Sequence, residues 1–160
     1  RKPQQELAAR WGIDWYPNSG GGCILTDRNF APRFRDLVAH SGGGDVSRRA
    51  LMSLKTGRHF RLPGGTKIIV GRTESENDYL EALLGGDHWV FTARDFPGAS
   101  VIAFDEPHEE EFPVIAAICA RYGKGAGRKS VAVVASMGTR SRMLEAAPLV
   151  QKDIERYYIM

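Results

Sequence analysis

Arginine and lysine side chains are the most informative chemical feature of this 160-residue sequence. Residues 1–72 carry 13 Lys and Arg against 5 Asp and Glu, a net charge of +8, whereas residues 73–160 carry 9 against 14, a net charge of −5. Cations next to aromatic rings are typical of nucleic-acid binding, because the cations pair with phosphates and the rings stack on bases. A solvated basic surface would show the same pattern, so composition leaves both interpretations open.

The candidate RNA contacts come from the end of the basic part, residues 58–72, and from one Gly-rich loop in the second part. Around residues 58–61 cations and rings alternate, so that both faces of a predicted strand carry a positive charge. The Gly-rich loop at 123–129 offers flexible amides and cations to a phosphate, although helix capping and a solvated turn explain it equally well. The candidate RNA-binding residues are Arg58, Arg61, Lys67, Arg72, Lys124, Arg128 and Lys129.

Evidence of catalytic chemistry is weaker. Cys23 follows three glycines and could be a reactive thiol or a sulfur carrier, but a small buried residue on a short apolar stretch is the simpler interpretation. Cys119 lies on the inner face of a predicted helix and is expected in the core. The sequence has no Cys-x-x-Cys, His-Glu-x-x-His or nucleotide-binding P-loop pattern. We therefore predict no metal site and no cofactor in this chain.

Glycine-rich breaks divide the chain into short elements. Hydrophobic spacing predicts helices at 4–11, 30–40 and 46–55, the last with Asp45 as N-cap. Beyond them it predicts strands at 58–62, 67–70, 88–92, 99–104 and 130–135, with helices at 74–84 and 109–122. Residues 151–160 are ambiguous, and the aromatic pair Tyr157-Tyr158 favours extended chain.

These elements predict an α+β fold. We expect a mostly antiparallel sheet of about five strands packed with helices, preceded by a small helical connector. The connector would occupy residues 1–55 and the domain residues 56–160. No apolar run approaches the roughly 18 residues that a membrane span needs, and two cysteines fit a reduced, cytoplasmic protein. The opening residues, beginning at Arg1 without a signal peptide, indicate a cut inside a longer protein.

Two stretches carry a resemblance to a known family. They are 67–80 (Lys-Ile-Ile-Val-Gly-Arg-Thr-Glu-Ser-Glu-Asn-Asp-Tyr-Leu) and 87–101 (Asp-His-Trp-Val-Phe-Thr-Ala-Arg-Asp-Phe-Pro-Gly-Ala-Ser-Val). Together they resemble the NFACT RNA-binding domain of ribosome quality-control factors and related fibronectin-binding proteins. The matching positions are Gly71, Arg72, Asn77, Leu80, Trp89, Asp95, Pro97 and Gly98. Thr73, Thr92 and Ser100 depart from the family pattern. The resemblance covers about 57–160 and implies RNA binding.

A second resemblance concerns the first third of the chain. Residues 16–27 (Tyr-Pro-Asn-Ser-Gly-Gly-Gly-Cys-Ile-Leu-Thr-Asp) and 57–62 are similar to a stretch that joins catalytic and NFACT-type modules in proteins related to tRNA thiouridine synthases. The resemblance implies tRNA as the RNA partner. It also implies an N-terminal PP-loop module that uses ATP, whose Ser-Gly-Gly-x-Asp/Ser motif is absent here.

Two further hypotheses remain beside a non-catalytic RNA-binding module. Cys23 could serve the sulfurtransferase as an accessory thiol. Alternatively, the acidic second part, above all Glu109 to Glu111, could dock a partner protein or the catalytic module.

Overall fold

The computed structural model describes residues 2–13 and 23–160. Its centre is one six-stranded antiparallel sheet with strand order β1-β2-β4-β3-β5-β6, which confirms the α+β prediction. The strands are β1 (Arg58–Arg61), β2 (Lys67–Val70), β3 (Trp89–Ala93), β4 (Val101–Ala103), β5 (Val131–Met137) and β6 (Arg140–Ala146). The helices are α1 (Lys2–Arg10), α2 (Phe30–Ala39), α3 (Arg48–Ser53), α4 (Glu74–Leu84), α5 (Phe112–Arg121) and α6 (Gln151–Glu155).

Helices cover both faces of the sheet. On one face the apolar helix α5 packs against alternate residues of the strands, including Phe60, Val70 and Phe91, and forms the main core. On the other face α4 buries Leu80 and Leu84 against the remaining side chains of β2 and β4. Because β2 and β4 are buried on both faces, their sequences are nearly continuous apolar runs.

The connector helices α2 and α3 belong to this second face. Phe30, Leu37, Ala50 and Leu54 form a small core that reaches the sheet through Phe104. Ser47, rather than the predicted Asp45, caps α3, because its hydroxyl accepts a hydrogen bond from the amide of Ala50 at 3.1 Å. The predicted boundary between residues 55 and 56 stays a prediction, and the Gly-rich segment 14–22 lies outside the described residues.

Residues 131–160 add strands at one edge of the sheet and a bridge at the other. Strand β6, which the sequence did not predict, pairs with β5 over seven positions and adds the sixth strand. The final residues are both helical and extended: α6 is followed by a bridge between Tyr158 and Phe60 at the β1 edge. Within the described ranges, no helix is long and apolar enough to cross a membrane.

Candidate nucleic-acid interface

Three backbone segments from distant parts of the sequence meet in an open cleft of about 600 Å³ beside the β1 edge. They are the β2–α4 junction, the turn at 97–99 and the C-terminal end of α5. Three of the predicted RNA-binding residues, Arg58, Arg72 and Lys124, line it together. The cleft, named here the Arg72 cleft, is lined by Arg58, Gly71, Arg72, Thr73, Glu74, Asn77, Pro97, Gly98, Ala99, Tyr122, Gly123 and Lys124.

Asn77 joins two of these segments. Its Nδ2 donates a hydrogen bond to the carbonyl of Gly98 at 3.1 Å, and its Oδ1 accepts one from the amide of Ser100 at 3.1 Å. Gly71 lies directly against the Asn77 carboxamide, so that a Cβ at position 71 would collide with it. The side chain of Asn77 thus holds the floor of the cleft together, and it can approach the backbone at position 71 because glycine has no Cβ.

A second close approach joins the turn to α5. A Cβ at Gly98 would lie 2.8 Å from the Cα of Gly123. The amide of Lys124 donates to the carbonyl of Pro97 at 3.0 Å, which holds the two backbones in contact. The turn at 97–99 therefore has a structural role, because its contact with the end of α5 positions Lys124 at the cleft.

Arg58 and Tyr122 form the aromatic wall. The guanidinium of Arg58 lies 4.9 Å from the centroid of the Tyr122 ring, a cation–π arrangement. The Tyr122 hydroxyl is 2.9 Å from that of Tyr158, and burial together with this neighbour raises the pKa of Tyr122 to about 12. The phenol therefore stays neutral, and the Arg58 cation is held beside a ring at the cleft.

Arg72 is oriented by Glu76, one helical turn away. Its Nη2 lies 2.7 Å from Glu76 Oε1, and the Arg72 amide donates to Glu76 Oε2 at 2.8 Å. The hydrogen bond raises the pKa of Arg72 and lowers the pKa of Glu76. An exposed pair of this kind adds about 0–1 kcal/mol to stability, so its main consequence is orientation. Arg72 remains 45% exposed.

The basic loop contributes unequally. Lys124 lines the cleft, whereas Arg128 and Lys129 are exposed outside its lining. Arg128 lies 5.5 Å from the centroid of Phe96, and the backbone at Gly125 passes under that ring. The loop therefore gives one cation to the cleft and two to the neighbouring surface.

Two other predicted contacts lie on the opposite face of the sheet. Lys67 is 2% exposed, and its Nζ is 3.0 Å from Asp36 Oδ2 of α2. Arg61 pairs with the same carboxylate at 2.7 Å and with Asp105 at 3.1 Å. Both cations are already occupied in attaching the connector to the sheet, and neither lines the Arg72 cleft. We leave both out of the proposed interface.

The thiols differ sharply. Cys119 is buried, donates weakly to the carbonyl of Phe91 at 3.4 Å, and has its pKa raised to about 12 by burial, so it is an inert core residue. Cys23 is exposed, contrary to the buried interpretation. In the part of the chain that the structure describes, no group of three or more His, Cys, Asp or Glu side chains could hold a metal.

The acidic run before α5 is largely occupied by the fold. Glu111 is buried, and its carboxylate accepts hydrogen bonds from the Thr66 hydroxyl and the His108 amide. Glu109 pairs with Arg142 at 2.8 Å. Only Glu110 of the three is left exposed without a described ion pair.

Asn77 and Tyr122 are cleft residues that the charge pattern could not indicate. Asn77 matched the family pattern by spacing, but its role as a brace depends on a carbonyl 21 residues away. Tyr122 is half-buried and also lines the cleft.

Comparison with known proteins identifies the family of this chain. Residues 57–158 match the family described as NFACT protein RNA binding domain. The fold resembles the solved C-terminal part of the fibronectin/fibrinogen-binding protein from Streptococcus suis, at 18% identity and a TM-score of 0.59, covering 81% of this chain and 61% of that one. No curated protein matches by sequence. With a family match that spans more than half of its length, this chain belongs to the NFACT RNA-binding domain family.

Proposed function

We propose that the Arg72 cleft is the RNA-binding site of this domain and that its RNA is a tRNA. The observation that carries the proposal is the meeting of Arg58, Arg72 and Lys124 around one cleft in a member of an RNA-binding family. The three cations come from sequence positions as far apart as 58 and 124, and only the fold brings them together.

The chemistry of the cleft suits a single strand with unstacked bases. The guanidiniums of Arg58 and Arg72 offer forked donors to phosphate oxygens, and Lys124 offers a point charge. Tyr122 and the stacked Arg58 provide planar surfaces, on which a base gains about 1–3 kcal/mol. Unpaired loops and ends are the parts of a folded RNA that expose such bases.

The tRNA part of the proposal is supported by sequence similarity alone. Residues 16–27 and 57–62 are similar to proteins related to tRNA thiouridine synthases, and most of the first stretch lies outside the described residues. In this proposal the chain holds the tRNA, and a separate N-terminal PP-loop module uses ATP to activate the uridine for sulfur transfer. The expected setting is the cytoplasm.

The proposal is tested by fluorescence anisotropy with a labelled tRNA. The expected result is saturable binding that weakens as salt rises, with a log–log slope of about −2 to −3 for three phosphate contacts. Unlabelled tRNA should displace the label at lower concentration than a duplex RNA of equal length. Absence of binding at low salt would refute the RNA site, and equal displacement by duplex would refute the preference for tRNA.

A second candidate function is that of an accessory thiol in sulfur transfer, which the exposure of Cys23 favours. Its test is tRNA thiolation by the full-length protein carrying Cys23→Ser. A loss of at least tenfold with unchanged tRNA binding is expected if the thiol carries sulfur, and wild-type thiolation would contradict it.

A further inference from the structure

Two further depressions share Arg72 with the Arg72 cleft and reach the connector, outside the matched residues 57–158. A second depression, of about 470 Å³, is lined by Asn29 and Arg33 of the α2 region, by Leu54 and Lys55, and again by Arg72. A third, of about 520 Å³, is lined by Asn29, Arg33, Arg58 and Arg72 as well as the C-terminal residues. All three depressions have Arg72 in their lining, and together they are named here the groove.

Arg33 is held rigidly in this groove. Its Nη1 donates to the carbonyl of Leu54 at 2.8 Å and its Nη2 to that of Gly57 at 3.1 Å. The buried Nε has no hydrogen-bond partner among the described residues. Burial, and then the positive charge of Arg72, lower the pKa of Arg33. Arg33 and Arg72 line the same two depressions, so their positive charges repel, and an anion bound there would relieve that repulsion.

The charge of the groove is positive. Five cations line the three depressions, against three carboxylates, those of Asp27, Glu74 and Glu155. Asp27 already accepts hydrogen bonds from the amides of Asn29 and Phe30, which cap α2. The five cations are Arg33, Lys55, Arg58, Arg72 and Lys124.

We propose that the connector supplies a second phosphate subsite, formed by Arg33, Lys55 and Arg72. The bound strand then runs from Lys124 across Arg72 to Lys55, so that the RNA site is larger than the family domain. This inference rests on the proposed RNA site of the Arg72 cleft and extends it. Arg33 has a positioning role through its fixed guanidinium, and exposed Lys55 is the side chain that can be changed without disturbing the fold.

The test compares Lys55→Glu with Arg49→Glu in the full chain. Arg49 lies on α3, six residues before Lys55, and its guanidinium is 3.2 Å from Asp87, which follows α4. The length of α4 separates this position from Arg72 by about 16 Å. Both variants make the same charge change at exposed positions. Lys55→Glu should weaken tRNA binding about fivefold to tenfold at low salt and reduce the salt slope by about 1. Arg49→Glu should change affinity less than about twofold, because screening weakens charges at that distance.

Additional variants separate the two proposals. Lys55→Arg should retain wild-type affinity, and thermal unfolding of every variant shows whether its fold is intact. If Lys55→Glu binds like Arg49→Glu while Arg58→Ala binds weakly, the connector subsite is refuted and the Arg72 cleft stands. If Lys55→Glu and Arg58→Ala both bind like the wild type, the RNA site itself has been placed wrongly and both proposals fall.

Discussion

The arginines of the Arg72 cleft are each held by a different kind of neighbour. Arg72 is held by a carboxylate one helical turn away and Arg58 by a tyrosine ring. In both cases one side of the guanidinium is occupied and the remaining donors are left for a ligand. A prepositioned cation loses less side-chain freedom on binding, which favours affinity.

Arg58→Ala tests this arrangement. The variant removes one phosphate donor and the cation over Tyr122, so tRNA affinity should fall about fivefold and the salt slope by about 1. The matched control is Arg140→Ala, which also removes an arginine over an aromatic ring, 5.0 Å from the centroid of Trp89, but outside the cleft. Anisotropy titrations at three salt concentrations measure both. Equal losses in the two variants would contradict a specific role for Arg58.

Asn77→Ala tests the cleft floor. The change removes two hydrogen bonds that join α4 to the turn at 97–100, so the free energy of unfolding should fall by about 1–2 kcal/mol. Because the turn also positions Lys124, tRNA binding should weaken under conditions where the variant is fully folded. Urea unfolding and anisotropy measure the two effects. A destabilised variant with wild-type affinity would show that the floor does not shape the RNA site.

At the scale of elements, the connector helices are attached to the sheet by charge as well as by apolar packing. Asp36 of α2 accepts both Arg61 and Lys67 from the first hairpin. Burial opposes ionisation of Asp36, but its bonds to Arg61 and Lys67 outweigh burial and lower its pKa. The carboxylate is therefore charged when α2 lies on the sheet.

Asp36→Ala should destabilise the whole domain. It leaves the Lys67 ammonium, 2% exposed, without its counter-charge, and an uncompensated buried charge costs about 3–5 kcal/mol. Urea unfolding measures the loss, and a loss below about 1 kcal/mol would contradict a structural role for the pair. In the folded variant tRNA affinity should stay within about twofold of wild type, because Arg61 and Lys67 lie outside the cleft. A clear gain in affinity would indicate that the two freed cations contact RNA and would return them to the interface.

The elements that sequence reasoning predicted are those with strong local patterns. The hairpin of β1 and β2 and the helices α4 and α5 have clear turn, capping and periodicity signals. Strand β6 does not: its sequence, Arg-Ser-Arg-Met-Leu-Glu-Ala, is poor in β-branched residues, and its pairing with β5 decides its conformation. The ion pairs of Arg61 and Lys67 could not be predicted either, because their partner Asp36 is 25 and 31 residues away in the sequence.

Across the whole molecule, the division into a basic first part and an acidic second part does not match the site. The Arg72 cleft takes Arg58 and Arg72 from the basic part, and it takes Pro97, Gly98 and Lys124 from the acidic part. Both parts of the chain therefore line the cleft. The charge pattern of the sequence indicated which cations to consider. Their assembly into one cleft depends on the fold, which brings three distant segments together.

The stability of the folded chain should depend on pH through His59. This ring is 1% exposed, and burial, together with the nearby charges of Arg33 and Lys67, lowers its pKa to about 3. Since an unfolded histidine binds its proton near pH 6.5, its contribution is complete above pH 6.5 and is lost as the pH falls toward 3. The free energy of unfolding should therefore decline between pH 7.5 and 4.5.

Urea unfolding of wild type and His59→Gln over that pH range measures the effect. Glutamine keeps a polar side chain that does not titrate, so the variant should show a shallower decline even if its stability at pH 7.5 is lower. Parallel declines in the two proteins would contradict the assignment to His59.

The most direct measurement of the central claim is an amide NMR titration of the ¹⁵N-labelled chain with tRNA. Binding in the Arg72 cleft predicts the largest shift changes at the amides of 71–74, 98–99 and 122–125, extending to 54–58 if the connector takes part. The amides of β6, the edge strand opposite β1, and of Trp89, which lies outside the cleft lining, should change little. Shift changes centred on β6 and Trp89, or none at saturating tRNA, would contradict the account.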